Sequence, residues 1–389
     1  MPFKQNEMQN PDINVNIISF TVPYPPNYGG CIDVFYKIKA LKKIGVNIIL
    51  HCFYYDRKPT EELKQYCKSV FFYKRKVGIK SNLSFLPYII KSRQSDELIA
   101  NLLTNDYPII FEGLHSCYYL NDKRLKNRCK IYRESNIEHE YYFNLFKSAH
   151  VFSKKIYYLV ESLRLLIFQK TVAYADFILP VSVKDFDYLK RKFSHNKIVY
   201  MPSFHGNDDV ISQLGRGAFG LYNGNLSVDE NINAAKYLMS NIFSKMPEYR
   251  FVITGLNPDN VIYKMALKYD NVKIIANPDE MEMNRLISDA QVNILYTEQA
   301  TGLKLKLLNV LYRGRFVLVN SKMCAGTGLD DLCIIADDDA SMIEKLKIIF
   351  DDYFTENEIN RRRMMLSQCY CDAQNANSLV EIITSWHVS

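Results

Sequence analysis

VNIISFTVPYPPNYGGCIDVFYKIKALKKIGVNIILHCF, residues 15–53, reads as strand, loop, helix and strand in one unbroken run. VNIISF (15–20) and VNIILHCF (46–53) are short, β-branched and apolar without alternation, which is the pattern of strands buried on both faces of a parallel sheet. Ile32–Ile44 between them carries a helical pattern. The same unit recurs along the chain. SVFFY (69–73), YPIIFE (107–112), CKIYR (129–133), DFILPV (176–181) and KIVYM (197–201) continue the first half. AFGLYNG (218–224), YRFVITG (249–255), NVKIIA (271–276), QVNILY (291–296), RFVLVN (315–320) and LCIIAD (332–337) make up the second, with helical stretches such as Ile232–Lys245 between them. Repeated strand–helix alternation predicts a doubly wound α/β protein.

The alternation pauses at PSFHGNDDVISQLGRG (202–217), rich in Gly, Pro, Asn and Asp, which reads as a linker. We therefore expect an N-terminal domain over 1–203 and a C-terminal domain over 217–364. The last stretch, about 365–389, is expected to be helical and to cross back to the first domain. A length of 389 residues suits two domains. The formal charge of +7 is unevenly spread: residues 1–200 hold 31 Lys and Arg against 18 Asp and Glu, and residues 201–389 hold 18 against 24. A basic first half suits an anionic membrane surface, a phosphorylated acceptor or nucleic acid, and no nucleic-acid motif accompanies it. No apolar run reaches the length of a membrane span, and the polar N-terminus has no signal-peptide core, so a cytoplasmic protein is expected. The nine cysteines form no C-x-x-C pair; Cys369 and Cys371 make only a C-x-C, and reduced, mostly buried thiols are expected.

Two glycine-containing loops carry the chemistry. In TVPYPPNYGGCIDVFYKIKALKKIG (21–45), Gly29 and Gly30 open a helix whose free N–H groups favour a phosphate or sugar; a plain tight turn is the alternative. The loop is not G-x-G-x-x-G, which disfavours a nicotinamide or flavin cofactor. In TGLKLKLLNVLYRGRFVLVN (301–320), Lys304 and Lys306 stand at a helix start, where cations are unfavourable against the macrodipole unless an anion binds there. His115 follows a strand in IIFEGLHS, with Glu112 on the same strand end as a second candidate. Asp185 and Asp187 spell D-x-D, but Ser182 three residues before Asp185 reads as a capping box. Asp337–Asp339 reads as a loop after a strand. No cluster has metal-ligand spacing, so a metal-independent reaction without a cofactor is expected.

These segments resemble the family-4 glycosyltransferases of GT-B fold. Gly302, Leu308, Gly314 and Val317 match that family's nucleotide-binding frame, while Thr301 and Asn309 stand at its two glutamate positions and Glu298 lies three residues upstream. Pro23–Gly30 is similar to the family's first loop. YRESNIEHEYY (132–142) resembles its R-x-H-N-x-E segment at Arg133, Asn136 and Glu138. LPVSVKDFDYLK (179–190) and LYNGNLSVDENINAAKYL (221–238) resemble two further junctions. After Gly224, Asn225 and Asn231 occupy places that hold a pyrophosphate-clamping Arg and Lys in many relatives.

The resemblance implies two Rossmann-like domains facing across a cleft. It implies transfer of a sugar, with retention, from a nucleotide diphosphate sugar to a glycan or lipid-linked acceptor hydroxyl. The donor would meet Gly29, Gly30, Gly224, Asn225, Thr301, Gly302, Lys304, Lys306 and Asn309. His115 and Glu298 are the catalytic candidates, and Arg133, Asn136 and Glu138 lie on the acceptor side. The alternatives are a GT-B nucleotide-sugar epimerase and a catalytically inert glycan- or partner-binding protein. KRKVGIKSNLSFLPYIIKSR (74–93) and residues 146–170 mix basic with apolar side chains, so peripheral membrane contact is expected of them.

Overall fold

The computed structural model describes residues 13–27, 29–149, 151–298 and 305–386. All thirteen apolar runs are strands. In the first unit these are β1 (Asn14–Ser19), β2 (Asn47–Tyr54), β3 (Ser69–Lys74), β4 (Ile109–Glu112), β5 (Lys130–Glu134), β6 (Phe177–Pro180) and β7 (Lys197–Ile198). In the second they are β8 (Gly220–Asn223), β9 (Phe251–Gly255), β10 (Val272–Ala276), β11 (Val292–Leu295), β12 (Phe316–Val319) and β13 (Ile334–Ile335). Every strand pairing is parallel.

The sheet orders are β3-β2-β1-β4-β5-β6-β7 and β10-β9-β8-β11-β12-β13. Both wind outward in two directions from a central pair, β1/β4 in one and β8/β11 in the other. Where the winding reverses, the loops after the two strands diverge and leave a crevice at their carboxyl ends. Register puts Ile18 opposite Phe111 in the first sheet and Ile294 opposite Tyr222 in the second.

Each face of the first sheet has its own apolar core. Val15 and Ile17 of β1 pack with Val34, Ile38 and Leu41 of the helix Gly29–Lys43. Ile18 packs on the opposite side with Ile99, Phe111 and Leu165. A strand buried on both faces has no solvent side, which explains the lack of alternation in its sequence.

One unit takes in the described residues of Met1–Gly206 and Asp372–Ser389, the other Asn207–Cys371. The segment that returns to the first unit is therefore the helix Asp372–Ser385, shorter than the stretch from about 365. The helix before it, Glu356–Cys369, belongs to the second unit, where buried Arg362 donates to the carbonyls of Leu311 and Gly314. Leu379 and Ile383 of the returning helix join the core around Ile38.

The linker begins as fixed structure. Phe204 N–H donates to Asp33 at 2.8 Å, and Gly206 N–H donates to Asp372 at 2.8 Å. Asp372 thus ties the outgoing chain to the start of the returning helix. Gly206 has φ +75°, and a Cβ there would lie 2.0 Å from the Tyr36 ring, so no other residue fits.

Candidate functional site

In the first unit the crevice is built from the loops after β1 and β4. Gly113 follows β4 with φ +67°, a conformation that favours glycine, and turns the chain into the short helical stretch Leu114–Tyr119. That turn brings the His115 ring to 5.2 Å from the ring of Phe20, the residue following β1. His115 Nδ1 lies 3.7 Å from Oε1 of Glu138, which opens the helix Glu138–Ser148. The His115 pKa is pushed well below its usual value by burial and by the charges of Arg93 and Arg75. Burial raises Glu138 to about 8, with Arg93 opposing the rise. Near neutral pH the imidazole is therefore uncharged and the carboxyl largely protonated, so the contact is not an ion pair. Burial and the two guanidinium groups disfavour the imidazolium, so the ring serves here as a neutral hydrogen-bonding group and is a weak base.

Beside this pair lies a cavity of about 310 Å³ lined by Phe20, Thr21, Arg57, Arg75 and Arg93. Arg93 is fixed by donating Nε to the Phe20 carbonyl at 2.8 Å and Nη1 to the Ile89 carbonyl at 2.6 Å. Arg75 donates Nε to Ser92 Oγ at 2.8 Å and lies over the Tyr88 ring. Arg57 donates Nε to the Val22 carbonyl and Nη1 to Asn27 Oδ1, each at 2.7 Å, which holds the Pro-rich loop in place. Three guanidinium groups brought together from separate loops form a natural seat for an anion. The sequence reading missed Arg57, and it placed Arg75 and Arg93 in a membrane-facing segment.

Gly30 lies within the helix Gly29–Lys43, and a Cβ on it would come 2.5 Å from the tip of Phe20. The glycine thus makes room for the aromatic ring beside His115. Arg133 is a correction. Expected on the acceptor side, it is 1% exposed and makes a two-pronged pair with Asp33. Glu112 is equally internal, accepting from Lys37 Nζ at 2.7 and 2.8 Å. Lys37 also reaches Asp33 at 3.1 Å, so these four groups form a closed, internally neutralised network. Asn136 is half-buried at the turn before Glu138.

In the second unit, the loops after β8 and β11 meet at the equivalent reversal. Gly224 follows β8, and a Cβ there would touch the Asn231 side chain at 3.1 Å. Asn225 Oδ1 accepts from Ser227 N–H and Oγ at 3.1 and 2.7 Å, and its carbonyl accepts from Asn231 Nδ2 at 3.0 Å. The two asparagines thus brace this turn.

Thr297, after β11, donates its hydroxyl to Glu230 and is clasped by Asn320, whose Nδ2 reaches the Thr297 carbonyl at 2.7 Å. Glu298, the other catalytic candidate, follows Thr297 in this loop. It is exposed, accepts from Lys322 Nζ at 2.7 Å and from the Tyr296 hydroxyl, and Lys322 holds its pKa below the usual value. Thr301, Gly302 and Lys304 lie outside the described residues.

The helix Leu305–Arg313 carries Lys306, whose Nζ lies 5.8 Å from the centre of the Tyr222 ring on β8. Asn309 on the same helix accepts from Arg313 Nε at 3.1 Å. A larger cavity, about 400 Å³, lies along β9 and β10. Ala218, Arg250 and Asn271 place much of it at the strands' amino ends, away from the reversal point.

No family model matches the chain. A protein of Klebsiella pneumoniae, described as an uncharacterized 44.6 kDa protein in the cps region, is 26% identical over 349 residues, covering 83% of this chain and 87% of its own length. Among solved structures, TarM superposes with a TM-score of 0.68 at 9% identity, covering 95% of this chain and 98% of its own. HepE of Anabaena, in complex with UDP and glucose, gives 0.64 at 11% identity over 96% of this chain and 100% of its own. A glycosyltransferase from Rickettsia africae gives 0.63 at 11% identity over 97% and 99%. The chain has the GT-B fold.

The GT-B frame accounts for what comes together within each unit. In the first, His115, Glu138 and the arginine cavity surround the end of β1. In the second, Gly224, Asn225, Thr297 and Lys306 gather around the ends of β8 and β11. Ser182 Oγ accepts from the Asp185 N–H at 3.1 Å and so caps Val183–Lys192, which places Asp185 in the first turn of that helix. Asp338 caps Asp339–Asp351 in the same way, accepting from Ser341 N–H at 2.9 Å. Among the described residues, no group of three or more His, Cys, Asp or Glu is placed to hold a metal ion.

Proposed function

We propose that this GT-B protein is a glycosyltransferase that moves a sugar, with retention, from a nucleotide diphosphate sugar to an acceptor hydroxyl. The observation that carries the reading is superposition over nearly the whole chain on sugar-handling GT-B proteins, including one in complex with UDP and glucose. The second unit takes the nucleotide. Gly224 lets the phosphates approach the backbone, and Lys306 supplies positive charge at the helix Leu305–Arg313. The first unit takes the acceptor, with His115 beside the reacting hydroxyl and the cavity of Arg57, Arg75 and Arg93 holding an anionic group on that acceptor. A phosphate- or carboxylate-bearing glycan or lipid-linked acceptor fits that charge. The Klebsiella relative's place in a cps region supports a role in polysaccharide biosynthesis.

Calorimetry against UDP-, GDP-, TDP- and ADP-sugars tests the reading, followed by donor turnover with phosphorylated acceptors. One donor class should bind and be slowly hydrolysed. A second reading, an inert GT-B binding protein, is favoured by the bracing of Asn225 to Asn231 and of Asn309 to Arg313, where relatives of the resembled family carry charged ligands. Failure of every nucleotide sugar to bind would support it and sink the transferase.

A further inference from the structure

The helices Glu138–Ser148 and Phe152–Phe168 form an antiparallel hairpin. Ser162 Oγ donates to the His139 carbonyl, and Tyr142 meets Tyr158 ring to ring. The inner face of the second helix is set by buried Glu161, Ser162 and Leu165. Its outer face should be polar, yet Phe152, Ile156, Val160, Leu163 and Ile167 occupy it at spacings of 4, 4, 3 and 4 residues, one continuous stripe. All five are exposed, Phe152 at 76% and Ile167 at 68%. Fully exposed Phe85 stands close by, because Glu161 accepts from the Tyr88 N–H and Arg164 donates to the Asn82 carbonyl. An apolar surface this long is not left to water without a partner.

Charge identifies the partner. Between residues 141 and 170 the only acidic side chain is Glu161, which is buried, while Lys147, Lys154, Lys155, Arg164 and Lys170 are basic. A second copy would bring like charges against one another. An anionic bilayer offers both an apolar interior for the stripe and negative headgroups for the lysines. The helix has 17 residues, and no helix among the described residues is long and apolar enough to cross a membrane. We propose that this hairpin lies in the interface of an anionic lipid bilayer, with the Phe152–Ile167 stripe among the acyl chains and the lysines at the headgroups.

Flotation of the full-length protein with vesicles tests this, and no sugar donor enters the experiment, so the outcome is independent of the transferase reading. The protein should float with phosphatidylglycerol-containing vesicles, far less with phosphatidylcholine alone, and less as salt rises. The pair Phe152→Ser and Ile167→Ser should lower partitioning roughly tenfold or more, since two large apolar side chains no longer leave water. Lys154→Glu with Lys155→Glu should lower it only on the anionic vesicles. Phe152 and Ile167 lie exposed on the hairpin's outer surface, so the serine pair should leave the thermal midpoint unmoved, whereas the glutamate pair, which loses the Lys155 contact with the Phe146 ring, should lower it slightly. No flotation with either lipid would overturn the proposal, as would equal flotation with both. So would a dimer in sedimentation that Phe152→Ser with Ile167→Ser dissolves.

Discussion

Arg133 and Asp33, a hundred residues apart in sequence, meet as a two-pronged pair inside the first unit, Nε and Nη2 lying 3.2 and 3.1 Å from the carboxylate oxygens. The guanidinium also donates to the carbonyls of Met201 and Pro202, so it binds β5 to the helix Gly29–Lys43 and to the chain leaving the unit. Burial alone would raise the Asp33 pKa; Arg133 and Lys37 reverse this and hold it well below the usual range. Removing one member of a buried pair leaves its partner's charge uncompensated. Arg133→Met should therefore cost about 3–5 kcal/mol. Urea unfolding should show the loss in the transition of the first unit alone. Because Asp33 is depressed, its contribution is present above the unfolded carboxylate pKa and fades as pH falls through the folded value. A variant as stable as the parent would mean the network adds little.

Glu138 gives the opposite pH signature. Its folded pKa is raised to about 8 from 4.5, chiefly by burial. Below pH 4.5 the group is protonated whether the chain is folded or not, so it costs nothing. As pH rises from there to 8 the unfolded chain gains by ionising, and stability falls by up to about 1.4 kcal/mol per unit. Glu138→Gln removes that slope. Thermal midpoints of parent and variant should converge near pH 4.5, and the variant should be the more stable at pH 8. Parallel profiles would refute the burial argument.

The strands were legible because burial on both sheet faces leaves a mark in composition. β1 reads NVNIIS, too short for a helix and rich in β-branched residues. Helix interiors were less legible: Ile232–Lys245 reads as one helix, whereas Asp229–Tyr237 passes into a wider turn over Leu238–Ile242 and a tight one over Phe243–Lys245. The place of His115 in the loop after β4 was legible from its neighbours in sequence. Arg133 looked like a surface ligand because its partner lies across the fold. Arg57, Arg75 and Arg93 converge only once β1, β2 and β3 stand side by side, and sequence spacing carries no trace of that.

Arg75 allows the acceptor's charge to be tested without touching His115. Its Nε is held by Ser92 and its plane rests on Tyr88. Arg75→Gln keeps a donor there but removes one of the cavity's three positive charges. With a phosphorylated acceptor, KM should rise roughly 10- to 100-fold, the worth of a charged hydrogen bond, with kcat little changed. With a neutral acceptor of the same sugar the variant should match the parent. An equal loss on both acceptors would point to damage to the fold.

Lys306 tests the donor side. Its ammonium stands over the Tyr222 ring at the carboxyl end of β8. Lys306→Ala should lower turnover of the accepted donor by about 10²–10³, comparable to the loss of one charge-stabilising donor in other sites. The thermal midpoint should change little, because the side chain is only half-buried. Near-normal turnover would remove Lys306 from the phosphate role.

Gly255 shows how closely the second unit's site is built. It ends β9 with φ +155°, and a Cβ there would lie 1.6 Å from the Gly224 carbonyl oxygen. That oxygen cannot retreat freely, because the Gly224 N–H is tied to the Thr254 carbonyl at 3.1 Å and the next residue is braced by Asn231. A methyl group would have to push the whole turn after β8 away from β9. Gly255→Ala should therefore destabilise the second unit by about 1–3 kcal/mol and move Gly224 and Asn225 from their positions. If these residues line the nucleotide site, donor affinity should fall further than stability alone explains. Calorimetry at a temperature where the variant remains folded separates the two. Unchanged donor affinity in a folded variant would show that this turn does not hold the nucleotide.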